Sequence, residues 1–185
     1  MGKLWPHNSV VMALQLTRCL SQCSFRTYQN RKSTSKSSSA SSRLAPADLV
    51  TQSKQQTTRE WWSEERSDFD LFCSALVKRE AGAGDSDAAT ERLQQLEGIP
   101  VLDLTEEARD LAEKLVGPGK IPPEYYEDAL HVAVATVNGI DFLLTWNLTH
   151  IANATLRKKY ESVIRSEGYK PPVICTPEEL LSVEP

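Results

Sequence analysis

Three polar residues have types that would do chemistry if the fold brought them together: Glu80, Asp128 and Asn147. Two carboxylates and an amide drawn from separate stretches make an all-oxygen donor set. Hard cations such as Mg²⁺ and Mn²⁺ favour that kind of set. A cation held this way generates hydroxide and stabilises charge on a phosphate, which is the chemistry of metal-assisted phosphodiester hydrolysis. Each residue also has an ordinary reading. Asp128 falls in the first turn of an expected helix, where a carboxylate matches the helix dipole. It is followed at once by Ala129, Leu130 and a long apolar run, a costly place for an idle charge. Glu80, within Lys78-Arg79-Glu80, reads alone as a surface residue, and Asn147 reads alone as a turn residue. Spacing makes none of the three specific, so they gain weight only as a set.

The elements that must position them follow from periodicity and punctuation. Residues 45–66 are polar and helix-prone and contain Trp61-Trp62. Residues 69–73 alternate apolar with polar and read as a strand. Residues 76–81 form a helical turn ahead of a Gly-rich stretch, and 85–97 form a helix stopped at Gly98. A strand is expected over 99–104. A helix capped by Thr105, with Glu106 and Glu107 in its first turn, runs to about 116. Pro122 and Pro123 open the next helix, whose 129–137 body is almost wholly apolar and so buried on most sides. Residues 141–145 have the continuous apolar pattern of a buried parallel strand. A basic amphipathic helix over 154–167, a strand over 173–175 and a capping box at 176–179 opening a short helix complete the chain. Strands alternating with helices specify an α/β fold, a parallel sheet with helices on both faces. Ligands bind such sheets at the carboxyl ends of the strands, and the three polar residues fall there.

Bulk properties narrow the class. The 185-residue chain, 40% hydrophobic, suits one ordinary domain with a tail. No stretch approaches the roughly 20 apolar residues that span a bilayer, so no membrane role is expected. Residues 1–43 carry seven basic and no acidic side chains, which leaves −11 for the remainder of a chain whose net charge is −4. An acidic domain repels phosphate unless a bound cation supplies the positive charge. The four cysteines form no CxxC pair, and Cys73 and Cys175 lie in expected strands, so buried free thiols and a reducing, cytoplasmic setting are expected. The Arg- and Ser-rich segment 1–43 fits a disordered solvated tail, an organelle transit peptide or the product of a displaced reading frame. The folded domain is expected over 44–185.

The stretches SALVKREAGAGD (74–85), DALHVA (128–133), LLTWNLTHIAN (143–153) and PPVICTPEELL (171–181) closely resemble PIN-domain proteins of the VapC toxin type. The resemblance covers about 46–181. It implies a PIN-like three-layer fold, dependence on Mg²⁺ or Mn²⁺, cleavage of single-stranded RNA, a homodimer and inhibition by a cognate antitoxin. By the same resemblance, Glu80 and Asp128 are metal-binding catalytic acids and Asn147 holds the fourth polar position. Asn147 and Thr145, the latter as a positioning hydroxyl, complete the catalytic set that the resemblance implies, while His150 and Asn153 are supporting residues. His131, on the apolar helix, reads as a core histidine. Arg157, Lys158 and Lys159 read either as an RNA contact or as a solvated face.

One feature departs from the family. A PIN domain begins with a central strand that carries the first acid, and that strand should precede Pro46. Residues 34–42 (TSKSSSASS) are no strand and contain no acid, and the apolar stretch 10–16 supplies no carboxylate. The first strand is thus expected to be missing or replaced, and a non-catalytic PIN-like interaction module is the alternative function. A nucleophilic hydrolase is disfavoured, since there is no GxSxG and His150 has no evident serine partner. No GxGxxG or Walker loop points to a nucleotide site.

Overall fold

A computed structural model describes residues 8–12 and 46–181. Five strands, β1 (Ser9–Met12), β2 (Asp70–Ser74), β3 (Val101–Leu102), β4 (Phe142–Leu144) and β5 (Val173–Cys175), form one sheet. Their order is β3-β2-β1-β4-β5, and every neighbouring pair is parallel. Among the described residues six α-helices accompany them: α1 (Pro46–Glu64), α2 (Ala75–Ala81), α3 (Ser86–Gln95), α4 (Glu106–Leu115), α5 (Tyr126–Val137) and α6 (Ala154–Ser166). The α/β class and the parallel sheet match the expectation.

Strand alternation divides the core in two. Val11, Phe72, Leu102, Leu143 and Ile174 point to one face and pack with α4, α5 and α6. Val10, Met12, Cys73, Leu144 and Cys175 point to the other, with Trp61 of α1 and Val77 and Ala81 of α2. Helices therefore cover both faces. Cys73 and Cys175 are buried and free. Eight successive residues of α5, Ala129 to Thr136, are buried. The helix ends in a Schellman turn, with Gly139 at φ 66°, Gly139 N–H on Thr136 O at 3.0 Å and Ile140 N–H on Ala135 O at 3.0 Å. Among the described residues no helix is long and apolar enough to cross a membrane.

Three element bounds differ from expectation. The strand expected over 99–104 shrinks to two residues at the sheet edge. The Pro122-Pro123 start is a 3₁₀ turn (Pro123–Tyr125) that passes into α5 only at Tyr126. The last helix is a single 3₁₀ turn (Pro177–Leu180), held by the Glu179 carboxylate accepting the Thr176 N–H at 2.8 Å.

The largest difference lies in the segment read as a tail. Ser9–Met12 is the middle strand of the sheet, so a domain boundary at 43/44 leaves out part of the fold. Val10 pairs with Leu71 and Phe142, Val11 with Phe72 and Leu143, and Met12 with Cys73 and Leu144. The central strand is thus replaced by the upstream apolar stretch rather than missing. It carries no acid, and the first acidic residue of the chain is Asp48. The expected run 34–42 lies outside the described residues.

The entry to β1 is pinned by polar contacts. Ser9 donates to Asp141 Oδ2 from its hydroxyl at 3.0 Å and from its backbone at 3.3 Å, and its hydroxyl accepts the Asp141 N–H at 3.0 Å. Lys170 donates to Asp141 Oδ1 at 3.0 Å. Burial pushes the Asp141 carboxyl upward, but hydrogen bonds from Lys170 and Ser9 outweigh it and hold the group below its ordinary value. Val10, Val11 and Met12 are at most 2% exposed. Burying three such side chains contributes on the order of 5–9 kcal/mol, which is comparable to the whole net stability of a domain.

Two outcomes follow. A chain starting at residue 44 is expected to lose cooperative urea unfolding, whereas the full chain unfolds in one transition. Ser9→Ala is expected to cost about 1–3 kcal/mol at pH 7. Because the folded pKa of Asp141 is depressed, its stabilisation is present above its unfolded value and is lost as pH falls through the folded one. The gap between Ser9→Ala and wild type in urea midpoints should therefore shrink at acid pH.

Candidate active site

The loops at the carboxyl ends of β2 and β4 flank β1, where the chain switches from building the sheet outward through β2 and β3 to building it through β4 and β5. Open α/β sheets hold their ligands at such a switch point. Glu80 reaches it from α2, whose start is fixed by the Ser74 hydroxyl accepting the Val77 N–H at 3.2 Å. Its end is fixed by buried Arg92 of α3, which donates to Ala81 O at 2.9 Å and Ala83 O at 2.7 Å. Asp128 sits in the first turn of α5, and Asn147 lies just past β4.

Asp128 is the hub. Its Oδ1 accepts the Asn147 side-chain amide at 2.7 Å, and its Oδ2 lies 3.0 Å from Nδ1 of His150. An ionised carboxylate only accepts, so Nδ1 carries the proton. Asn147 Oδ1 in turn accepts the His150 backbone N–H at 3.0 Å. Its main-chain oxygen accepts Ile151 N–H at 3.2 Å and Ala152 N–H at 2.7 Å. The Thr145 hydroxyl, fully buried, accepts the Asn147 N–H at 3.0 Å. Thr145 and Asn147 therefore shape the loop that carries His150 onto Asp128. Asn153 caps α6, accepting the Thr155 N–H at 2.9 Å.

The Glu80 carboxylate has a histidine of its own. Its Oε1 lies 3.3 Å from Nε2 of His131, and His131 is only 7% exposed. Oε2 of Glu80 is buried and has no hydrogen-bond partner among the described residues. Burial raises the Asp128 carboxyl above its ordinary value. The nearby His150 and His131 pull it down, and the Glu80 charge pushes it further up. Each acid thus has a histidine beside it.

Two further residues escaped the sequence. Tyr125 stacks on His150, with ring centroids 3.9 Å apart and planes 17° apart. Its place three residues before Asp128, on the same turn, was the available signal. Tyr160 of α6 is fully buried, and its hydroxyl has no hydrogen-bond partner among the described residues. Burial first, and the Asp128 charge second, push its phenol above the ordinary value. Nothing in an amphipathic helix pattern marks it as a neighbour of the acids. The basic trio of α6 is partly engaged: Arg157 pairs with Glu179 at 3.4 Å and Lys159 donates to Lys120 O at 3.0 Å.

The donor chemistry suits a hard cation in part. Two carboxylates from separate elements, one with an unpaired buried oxygen, fit a Mg²⁺-type ion that keeps several waters. They do not make a closed protein cage, and among the described residues no three His, Cys, Asp or Glu side chains group as metal ligands.

No protein-family model and no curated protein matches the chain. Among solved structures it is similar to VapBC2 from Rickettsia felis bound to a DNA fragment from their promoter, at 8% identity and a TM-score of 0.39. That alignment covers 90% of this chain and 97% of the other. The chemistry of the site rests on this chain's own residues.

A carboxyl raised by burial costs stability once it ionises in both states. Its folded pKa exceeds its unfolded one, so that cost is absent at low pH and grows as pH rises through the two values. Asp128→Asn is expected to raise the thermal midpoint at pH 7 and to change it little near pH 3. Lower midpoints at both pH values would make the carboxylate a net structural anchor.

Proposed function

We propose that the chain is a PIN-like endoribonuclease of the toxin type that acts on single-stranded RNA with Mg²⁺ or Mn²⁺ held by Glu80 and Asp128. The observation that carries this reading is that two carboxylates from separate elements each lie beside a histidine, while one buried oxygen of Glu80 has no partner among the described residues. A cation there would give that oxygen a partner. Bound there, it supplies positive charge to the phosphate and lowers the pKa of a coordinated water.

The chain's own residues have distinct parts in that reading. Asn147 and His150 fix the rotation of the Asp128 carboxylate, leaving the second lone pair of each oxygen for a ligand. His131 does the same for Glu80 through Oε1. Thr145 holds the loop backbone that presents Asn147. The cation also answers the electrostatic objection to RNA, since the region after residue 43 is strongly acidic. A second copy of the chain, a cognate antitoxin and a cytoplasmic location belong to this proposal on the motif resemblance alone.

The full chain is expected to cleave single-stranded RNA in Mg²⁺, and Asp128→Asn to slow cleavage by about 10–100-fold or more. Equal rates would reject the assignment.

A second reading has its own observation. β1 carries no acid, so the site lacks the carboxylate that a PIN domain places on its central strand. A non-catalytic interaction module fits that loss. Calorimetric titration with Mn²⁺ separates the two, since a heat of binding abolished by Glu80→Gln supports the enzyme and its absence in wild type supports the module.

A further inference from the structure

His150 is restrained more than a supporting residue requires. Its ring edge meets Asp128 at 3.0 Å, its backbone N–H is held by Asn147 at 3.0 Å, and one face lies on Tyr125. Tyr125 itself packs against the larger core cluster. A single hydrogen bond from Nδ1 would suffice to orient Asp128. The stack does something else, fixing the plane of an aromatic ring beside the acids while its side chain stays 32% exposed.

Planar, immobilised, partly exposed rings are what unpaired bases stack on, and every base has a face to offer. We infer that Tyr125 and His150 form a stacking platform that seats one base of a single-stranded RNA, the nucleotide next to the phosphate held at Glu80 and Asp128. The inference rests on the ribonuclease reading and deepens it by assigning a subsite. It also explains how an acidic domain would hold RNA near its acids, since stacking needs no positive charge. The basic side chains of α6 contribute less than their number implies, because Arg157 is paired with Glu179.

The test is fluorescence anisotropy of the full chain with a short single-stranded RNA, in Ca²⁺ rather than Mg²⁺ so that the RNA stays intact. His150→Ala is expected to weaken binding about 5- to 150-fold, the range of one base–aromatic stack. His150→Phe, which loses the same bond to Asp128 but keeps a ring, should bind at least about 5-fold more tightly than His150→Ala. An abasic residue moved along the RNA should weaken wild type at one position and leave His150→Ala indifferent there. If His150→Phe falls as far as His150→Ala, the ring serves Asp128 alone and the platform is overturned. Unchanged affinity in His150→Ala overturns it as well. Should His150→Ala fail to fold, His150→Phe and the abasic series decide. Wild type that cleaves RNA while the variants bind normally removes the platform and leaves the ribonuclease reading standing. Wild type that neither binds nor cleaves removes both.

Discussion

Everything at the carboxyl ends of this sheet depends on four residues pairing on both sides. β2 and β4 do not pair with each other; each pairs with β1 between them. Neighbouring strands lie about 4.8 Å apart, so the two that lead to the candidate site are held about 10 Å apart by the width of the strand between them. Glu80 follows one and Asn147 follows the other, so β1 sets the gap across which Glu80 faces the Asp128 cluster. Without it, two-strand fragments with open edges would remain, and such pairs are marginal in water. The polar knot of Ser9, Asp141 and Lys170 fixes the register of that strand. A one-residue slip would send Val10 and Met12 to the wrong face.

How legible this was in the sequence varied with how local the cause is. α4 follows from its cap and periodicity, with Thr105 accepting the Ala108 N–H, and α6 from periodicity alone, while Asn153, read as a supporting residue, caps it. α5 was legible from its apolar run alone. β1 was not, because its signal is only four residues long and sits within a basic, acid-free segment whose composition argues for a tail. The decision to fold it in is tertiary: β2 and β4 leave a gap that only an apolar β-branched stretch can fill. The edge strand β3 shrank for the opposite reason, since it has one neighbour and Val101 remains 40% exposed.

The site was legible as residue types and not as pairings. Sequence placed Glu80, Asp128 and Asn147 near one another through the order of strands. It did not show that each acid has its own histidine. His131 lies three residues after Asp128 yet pairs with Glu80, 51 residues away. His150 reaches Asp128 because Asn147 and Thr145 turn the loop after β4 back on itself. A helix face cannot announce such partners, because they are set by what crosses it.

Those pairings shape what the site can be. Partly buried carboxylates need compensation, and here each has a histidine beside it, at 3.3 Å for Glu80 and 3.0 Å for Asp128. Among the described residues, compensation is incomplete at Glu80, where one oxygen is buried and unpaired, and at Tyr160, whose buried hydroxyl near Asp128 has no partner. A fold optimised only for stability would pair or remove these atoms, since an unsatisfied buried group costs about 1–3 kcal/mol. In the proposed reading, a ligand at this switch point of the parallel sheet would give the Glu80 oxygen its partner. The absence of an acid on β1 bears on how firmly a cation would be held. The stacked Tyr125 and His150 bear on what lies against it. In the proposed reading these are separable properties, since orienting a cation falls to the carboxylates and seating a base falls to the stacked rings.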